Sequence, residues 1–156
     1  MALSKITTES LLDGEILNAD INASASIALS KLASDPTTKV YSGTFTRDTS
    51  TATGNVAYTG IGFQPKAIIS FGAVATTDQL SIGIDDGSRR GSVYDASGVS
   101  AGTYNISGSI TFMPQQTGSI FQFGVINSFD SDGFTIGWTK VGSPSGTATF
   151  YYLCIG

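Results

Sequence analysis

Ser119-Ile-Phe-Gln-Phe-Gly-Val-Ile126 and, shortly after it, Phe134-Thr-Ile-Gly-Trp138 alternate between apolar and small or polar residues. A period of two is the signature of a strand with one face turned to a core. Phe134, Ile136 and Trp138 therefore read as core residues. Between the two runs stands Asp130-Ser-Asp-Gly133, and Asp85-Asp-Gly87 repeats the chemistry upstream. Asp and Gly accept the backbone angles that tight connections need, so both sites read as turns.

Working outward on the same criteria, strands are expected at about 41–47, 54–60, 66–75, 79–84, 90–95, 102–106, 108–113, 119–126, 133–139 and 147–155. Gly, Asp, Asn and Pro punctuate them, and no alternation of strand with helix is visible. Strands this short and this closely spaced predict an all-β protein, an antiparallel β-sandwich of the jelly-roll kind.

The composition agrees. Of 156 residues only 13% are charged, against about 25% in ordinary soluble domains. Ser, Thr, Gly and Asn take their place, which favours strands and turns over long helices. Such a surface also tolerates close contact with copies of itself or with neutral partners. The formal net charge is −4, and the basic residues are scattered apart from Arg89-Arg90. No cluster of cations is available for phosphates, so nucleic acid is not an expected partner.

The sequence contains no histidine and one cysteine, Cys154. That removes the usual zinc sites, His-dependent Ser or Cys nucleophiles and any internal disulfide. Cys154 lies in the apolar run Phe150-Tyr-Tyr-Leu-Cys-Ile155 and reads as a small buried hydrophobe. No segment approaches the ~20 apolar residues of a membrane span. Met1 to Leu12 lacks the basic start and apolar run of a signal peptide, so use without Sec export, or release by lysis, is expected.

Composition shifts near Asp35-Pro36. The residues before it contain no aromatic side chain, whereas aromatics recur throughout the remainder. Residues 1–36 are thus expected to form an attachment and oligomerisation segment, which docks on something else and whose small residues permit several chains to pack around an axis, and 37–156 the β-sandwich domain. The segment's candidate contact residues are Leu3, Ile6, Leu11, Leu12, Ile16, Leu17, Ile21, Ile27 and Leu32. It reads as extended or, over Asn22–Ala33, briefly helical, with Ala25, Ala28, Leu29 and Leu32 on one face. A helix that short needs tertiary or intermolecular contacts to persist.

Ile16-Leu-Asn-Ala-Asp-Ile-Asn-Ala-Ser-Ala-Ser-Ile-Ala-Leu-Ser-Lys-Leu-Ala33, after a Met-Ala-Leu-Ser-Lys-Ile start, resembles the opening of virion-surface fibre and decoration proteins of tailed bacteriophages. The C-terminal part resembles a small domain of phage structural proteins through Gly43-Thr-Phe-Thr46, Gly62-Phe-Gln-Pro-Lys-Ala-Ile-Ile69, Asp132-Gly-Phe-Thr-Ile136 and Tyr151-Tyr-Leu-Cys-Ile-Gly156. The resemblance implies a homotrimer on the virion surface, assembled in the bacterial cytoplasm. Its N-terminus would contact capsid or tail proteins and its β domain would face outward. The chain lacks the repetitive shaft of a long fibre, which points to a short fibre, a head fibre or a capsid-decorating protein.

Several constellations offer other chemistry. Asp85-Asp86 and Asp130/Asp132 present oxygens suited to calcium, but Gly133 comes too early for an EF-hand loop and no Glu closes it. The reading here is turns without a metal or cofactor. Carboxylates for glycoside hydrolysis would have to come from Asp78, Asp85, Asp86, Asp95 and Asp130, all in turn-like contexts. No catalytic residue is assigned, and the chain is expected not to be an enzyme. For a tail-tip adhesin recognising host-surface glycans, the candidate contacts are Arg89, Arg90 and Tyr94, with Tyr104 and Asn105. There a sugar's apolar face would stack on a ring while its hydroxyls take hydrogen bonds.

Overall fold

The computed structural model describes residues 38–74, 80–95, 104–109, 111–117 and 119–156. The attachment segment, with Leu3, Ile6, Leu11, Leu12, Ile16, Leu17, Ile21, Ile27 and Leu32, lies outside the described residues.

The described residues form strands joined by turns: β1 (Val40–Asp48), β2 (Gly54–Thr59), β3 (Ala67–Val74), β4 (Leu80–Asp85), β5 (Arg90–Asp95), β6 (Tyr104–Ser107), β7 (Phe112–Thr117), β8 (Ile120–Asp130), β9 (Gly133–Val141) and β10 (Thr147–Ile155). Two packed antiparallel sheets result, a six-stranded one in the order β1-β10-β3-β4-β5-β6 and a four-stranded one in the order β2-β9-β8-β7. The expected all-β antiparallel sandwich is what the chain builds. Strands β1, β10 and β3 interleave with β2 and β9 across the two sheets, as in a jelly roll. The remaining strands continue as meanders, β3 to β6 in one sheet and β7 to β9 in the other.

Most strand boundaries fall where alternation placed them. The expectation of a strand at 108–113 was displaced, since β7 runs from Phe112 through Pro114 to Thr117. Proline lacks the N–H of a ladder, so it signalled a strand end. It is tolerated here because β7 is the edge of its sheet and its register with β8 shifts between Phe112 and Gln115. The other turn signals hold. Asp85 Oδ1 accepts from the Gly87 N–H at 2.9 Å, and Ser131-Asp132 closes the β8–β9 hairpin.

The core is aromatic. Phe45 of β1, Phe150 of β10 and Phe112 of β7 meet with ring centroids 5.2–5.7 Å apart. Trp138 of β9 lies 5.9 Å from Phe112, and Phe134 packs edge-on to Tyr152 at 5.2 Å. Such ring pairs add to the area they bury. The rings fit because small residues face them, and the Phe150 ring lies directly over Gly72 on the neighbouring strand, where a Cβ would collide. One cation enters this core. The Arg47 guanidinium stacks 4.8 Å above the Trp138 ring, donates to Gln122 Oε1 at 3.1 Å and donates to the Ala52 carbonyl at 3.1 Å. These bonds tie β1, the β1–β2 connection and β8 together, and they supply the partners a buried charge requires.

Cys154 is fully buried beside this cluster, as its apolar run implied. Burial pushes its thiol up to about 12. Tyr152 is likewise pushed up to about 12, by burial first and then by its neighbour Tyr41.

Three outcomes are expected. Phe150→Ala should lower unfolding free energy by about 3–5 kcal/mol in chemical denaturation, the usual cost of emptying a packed aromatic site. Native Cys154 should resist a thiol reagent at pH 8 and react fully once denaturant is added, because the thiolate is the nucleophile. From neutral pH stability should be level up to about pH 9 and fall as pH rises from there toward 12. In that window the unfolded chain releases protons that the folded Cys154 and Tyr152 retain, so the unfolded state gains.

Candidate interaction surface

Strand β4 carries the alternation Leu80-Ser-Ile-Gly-Ile-Asp85, and its burial is inverted. Ser81, Gly83 and Asp85 point inward and are buried, while Leu80, Ile82 and Ile84 are exposed. The neighbours follow suit. Ser70 of β3 and Ser92 of β5 are buried, whereas Ile69, Phe71 and Val93 on the same strands face out.

The reason lies on the inner side. Strand β7 packs against β3, β4 and β5, and the Thr111 carbonyl just before it reaches the Gly83 position so closely that no Cβ could stand there. Only small side chains fit beneath it. The Asp85 carboxylate enters this layer by being fully partnered. Thr111 Oγ1 donates to Asp85 Oδ2 at 2.8 Å, and Arg90 Nε stands 3.3 Å from the same oxygen. Arg90 also donates to the Ile126 carbonyl at 3.3 Å, which links the two sheets.

The outer side is therefore apolar. Cross-strand registers align Thr44, Tyr151, Phe71, Ile82, Val93 and Ile106 in one row across all six strands. Ser42, Leu153, Ile69, Ile84 and Gly91 form the row beside it. Neither row contains a charged side chain. Tyr151 and Phe71 stack with centroids 5.4 Å apart. Phe71 is 53% exposed, Ile84 56% and Ile106 84%. Depressions between these side chains are shallow and open to solvent. A strand face of this kind ordinarily packs on another layer, and here the large sheet carries its apolar face on the wrong side for its own sandwich.

The residues considered for glycan contact divide. Arg89 is exposed, in a shallow polar depression with Ser88, Gly108 and Ser109. Arg90 is engaged by buried Asp85, so its guanidinium acts within the fold. Tyr94 is half-buried on the strand face that Ser92 shares. Antiparallel pairing sets Tyr94 opposite Asn105 and Asp95 opposite Tyr104, whereas Arg89 and Arg90 stand at the other end of β5, near Gly108 and Ser109. The side chains of Tyr104 and Asn105 lie outside the described residues.

The acidic turns are held by backbone N–H groups and by side-chain hydroxyls. Asp86 Oδ1 accepts from the N–H groups of Ser88 at 2.9 Å and Arg89 at 2.6 Å, which holds its carboxyl below the usual range. Asp132 accepts from the N–H of Gly60 at 3.1 Å and of Gly62, while Asp130 accepts from Ser128 and Thr135 at 2.8 Å each. Among the described residues, no group of three or more Cys, Asp or Glu side chains is arranged to hold a metal. Among them, too, no helix is long and apolar enough to cross a membrane.

Removing the Asp85 carboxylate with Asp85→Ala should cost about 2–3 kcal/mol in denaturant titration, since it strands the Thr111 hydroxyl and Arg90 together. Arg90→Ala should likewise lower stability, whatever it does to ligand binding; unchanged stability would remove Arg90 from the fold's inner layer. Comparison with known protein families, curated proteins and solved structures gives no significant match.

Proposed function

We propose that this chain is a non-enzymatic structural subunit of a tailed-phage virion, a short trimeric fibre or capsid-decorating (head fibre) protein. Residues 1–36 anchor it to capsid or tail proteins, and the β-sandwich is displayed outward on the virion surface. The observation that carries the reading is the uncharged apolar face of the six-stranded sheet. A protein that works alone gains nothing from such a face, whereas a subunit of a larger assembly needs one. The resemblance of Ile16–Ala33 to phage fibre openings supports the particle as the setting. The absence of histidine and the partnering of the turn carboxylates by backbone N–H groups both speak for a structural role.

The glycan-binding reading rests on the β5–β6 pairing, which brings Tyr94 beside the backbone of Tyr104–Asn105; Arg89 lies at the other end of β5, next to Gly108 and Ser109. It fits the same protein, because anchoring and adhesion use different parts of the chain.

Immunogold labelling of purified particles of the encoding phage should locate the protein on the capsid or tail. A chain deleted for residues 1–36 should keep its near-ultraviolet tryptophan signal yet fail to join particles. Particles that never contain the protein would overturn the virion assignment. A truncated chain that still incorporates would overturn the anchor.

A further inference from the structure

We propose that the outer face of the six-stranded sheet is the contact between copies of this chain, with Phe71, Ile82, Val93 and Ile106 buried where neighbouring copies meet. This rests on the reading of the chain as an assembly subunit and names the surface that makes the assembly.

Size is the first argument. Six strands about 4.8 Å apart, with roughly 20 Å of outward-facing strand, span on the order of 500 Å² in projection. Side chains standing on that plane expose more than its projection, which puts the face at the upper end of the roughly 300–600 Å² that the largest patch on a monomer commonly spans. It is also of the order of the roughly 800 Å² that each partner contributes to a stable interface.

Charge is the second. The chain carries a net charge of −4, yet the two central rows are neutral. A partner recognised by charge would find nothing to pair with there. A second copy brings the same neutral surface, so no charge is desolvated when the two meet. Asp48 and Asp95 end β1 and β5, Asp86 and Arg89 face each other between β4 and β5, and Lys39 and Lys66 precede β1 and β3, so charged residues of both signs mark the rim. An apolar centre with a polar rim is the anatomy of protein–protein interfaces.

Shape is the third. Cross-strand rows on a regular sheet suit a second sheet packing about 10 Å away. The depression of about 510 Å³ between Tyr151, Phe71 and Leu153 is more open than enclosed, which suits an extended protein surface better than a small ligand. Polarity also grades across the sheet, from Ile82, Val93 and Ile106 toward Ser42, Thr44 and Thr46 on β1. The deepest part of the contact therefore falls over β4 and β5.

The test uses the full chain at micromolar concentration. Light scattering after size exclusion should give a multiple of the 16.1 kDa chain mass. Ile82→Glu and Val93→Glu should each shift the protein to the single-chain mass with an unchanged near-ultraviolet tryptophan signal. Should a charged variant misfold, Ile82→Cys decides the matter. Buried Cys154 stays silent, so a bismaleimide of about 10 Å reach should link Ile82→Cys chains to each other and leave Ser131→Cys chains unlinked. A wild-type chain of single-chain mass overturns the contact, as does an oligomer whose mass both glutamates leave unchanged. So does an Ile82→Cys chain that is not linked. Particles that take up a single-chain protein would overturn this contact while leaving the virion reading intact. A self-associating chain missing from particles would do the reverse.

Discussion

The close approach of the Thr111 carbonyl to Gly83 decides which way half of the large sheet faces. Backbone meets backbone there, so no Cβ fits at Gly83, and its cross-strand neighbours Ser70 and Ser92 are small. Ser70, Ser81 and Ser92 line that layer, with Asp85 held by Thr111 and Arg90. Strands have a period of two, so fixing small and polar residues inside sends Ile69, Phe71, Ile82, Ile84 and Val93 outside. The apolar exterior is thus a consequence of how the interior is packed.

The two ends of the sandwich are stabilised differently. Around β1, β10 and β9 the interior is a cluster of interlocking rings, where dispersion and area burial dominate. Around Ser70, β4 and β5 it is a thin layer of small and polar side chains, with Asp85 hydrogen-bonded to Thr111 and paired with Arg90, which contributes specificity of register more than hydrophobic free energy. The second end buries less apolar surface within the chain, and it is the end whose apolar residues remain exposed. Covering that face would recover burial the domain does not achieve alone, which ties the fold to the assembly role proposed for it.

The six-stranded sheet also brings together residues far apart in sequence. Thr44 and Tyr151 lie in one row with Phe71, Ile82, Val93 and Ile106, yet no two of these strands pair through a short hairpin until β3 meets β4. The same pairing draws Tyr94 toward Asn105 at the sheet's end. A surface assembled this way forms only when the sandwich is complete.

Much of this protein was legible in the sequence. Strand positions followed from alternation in Ser119–Ile126 and Phe134–Trp138, and turns from Asp85-Asp-Gly87 and Asp130-Ser-Asp-Gly133, because period and turn chemistry are local properties. The burial of Cys154, Phe134, Ile136 and Trp138 was legible for the same reason. The β7 boundary was not, since proline's cost depends on whether its strand is an edge. The interaction surface was hidden too: Leu80-Ser-Ile-Gly-Ile-Asp85 announces its two faces but not which of them points inward. Tertiary structure chose, because only the packing of β7 over β4 makes the polar face the one with no room for large side chains.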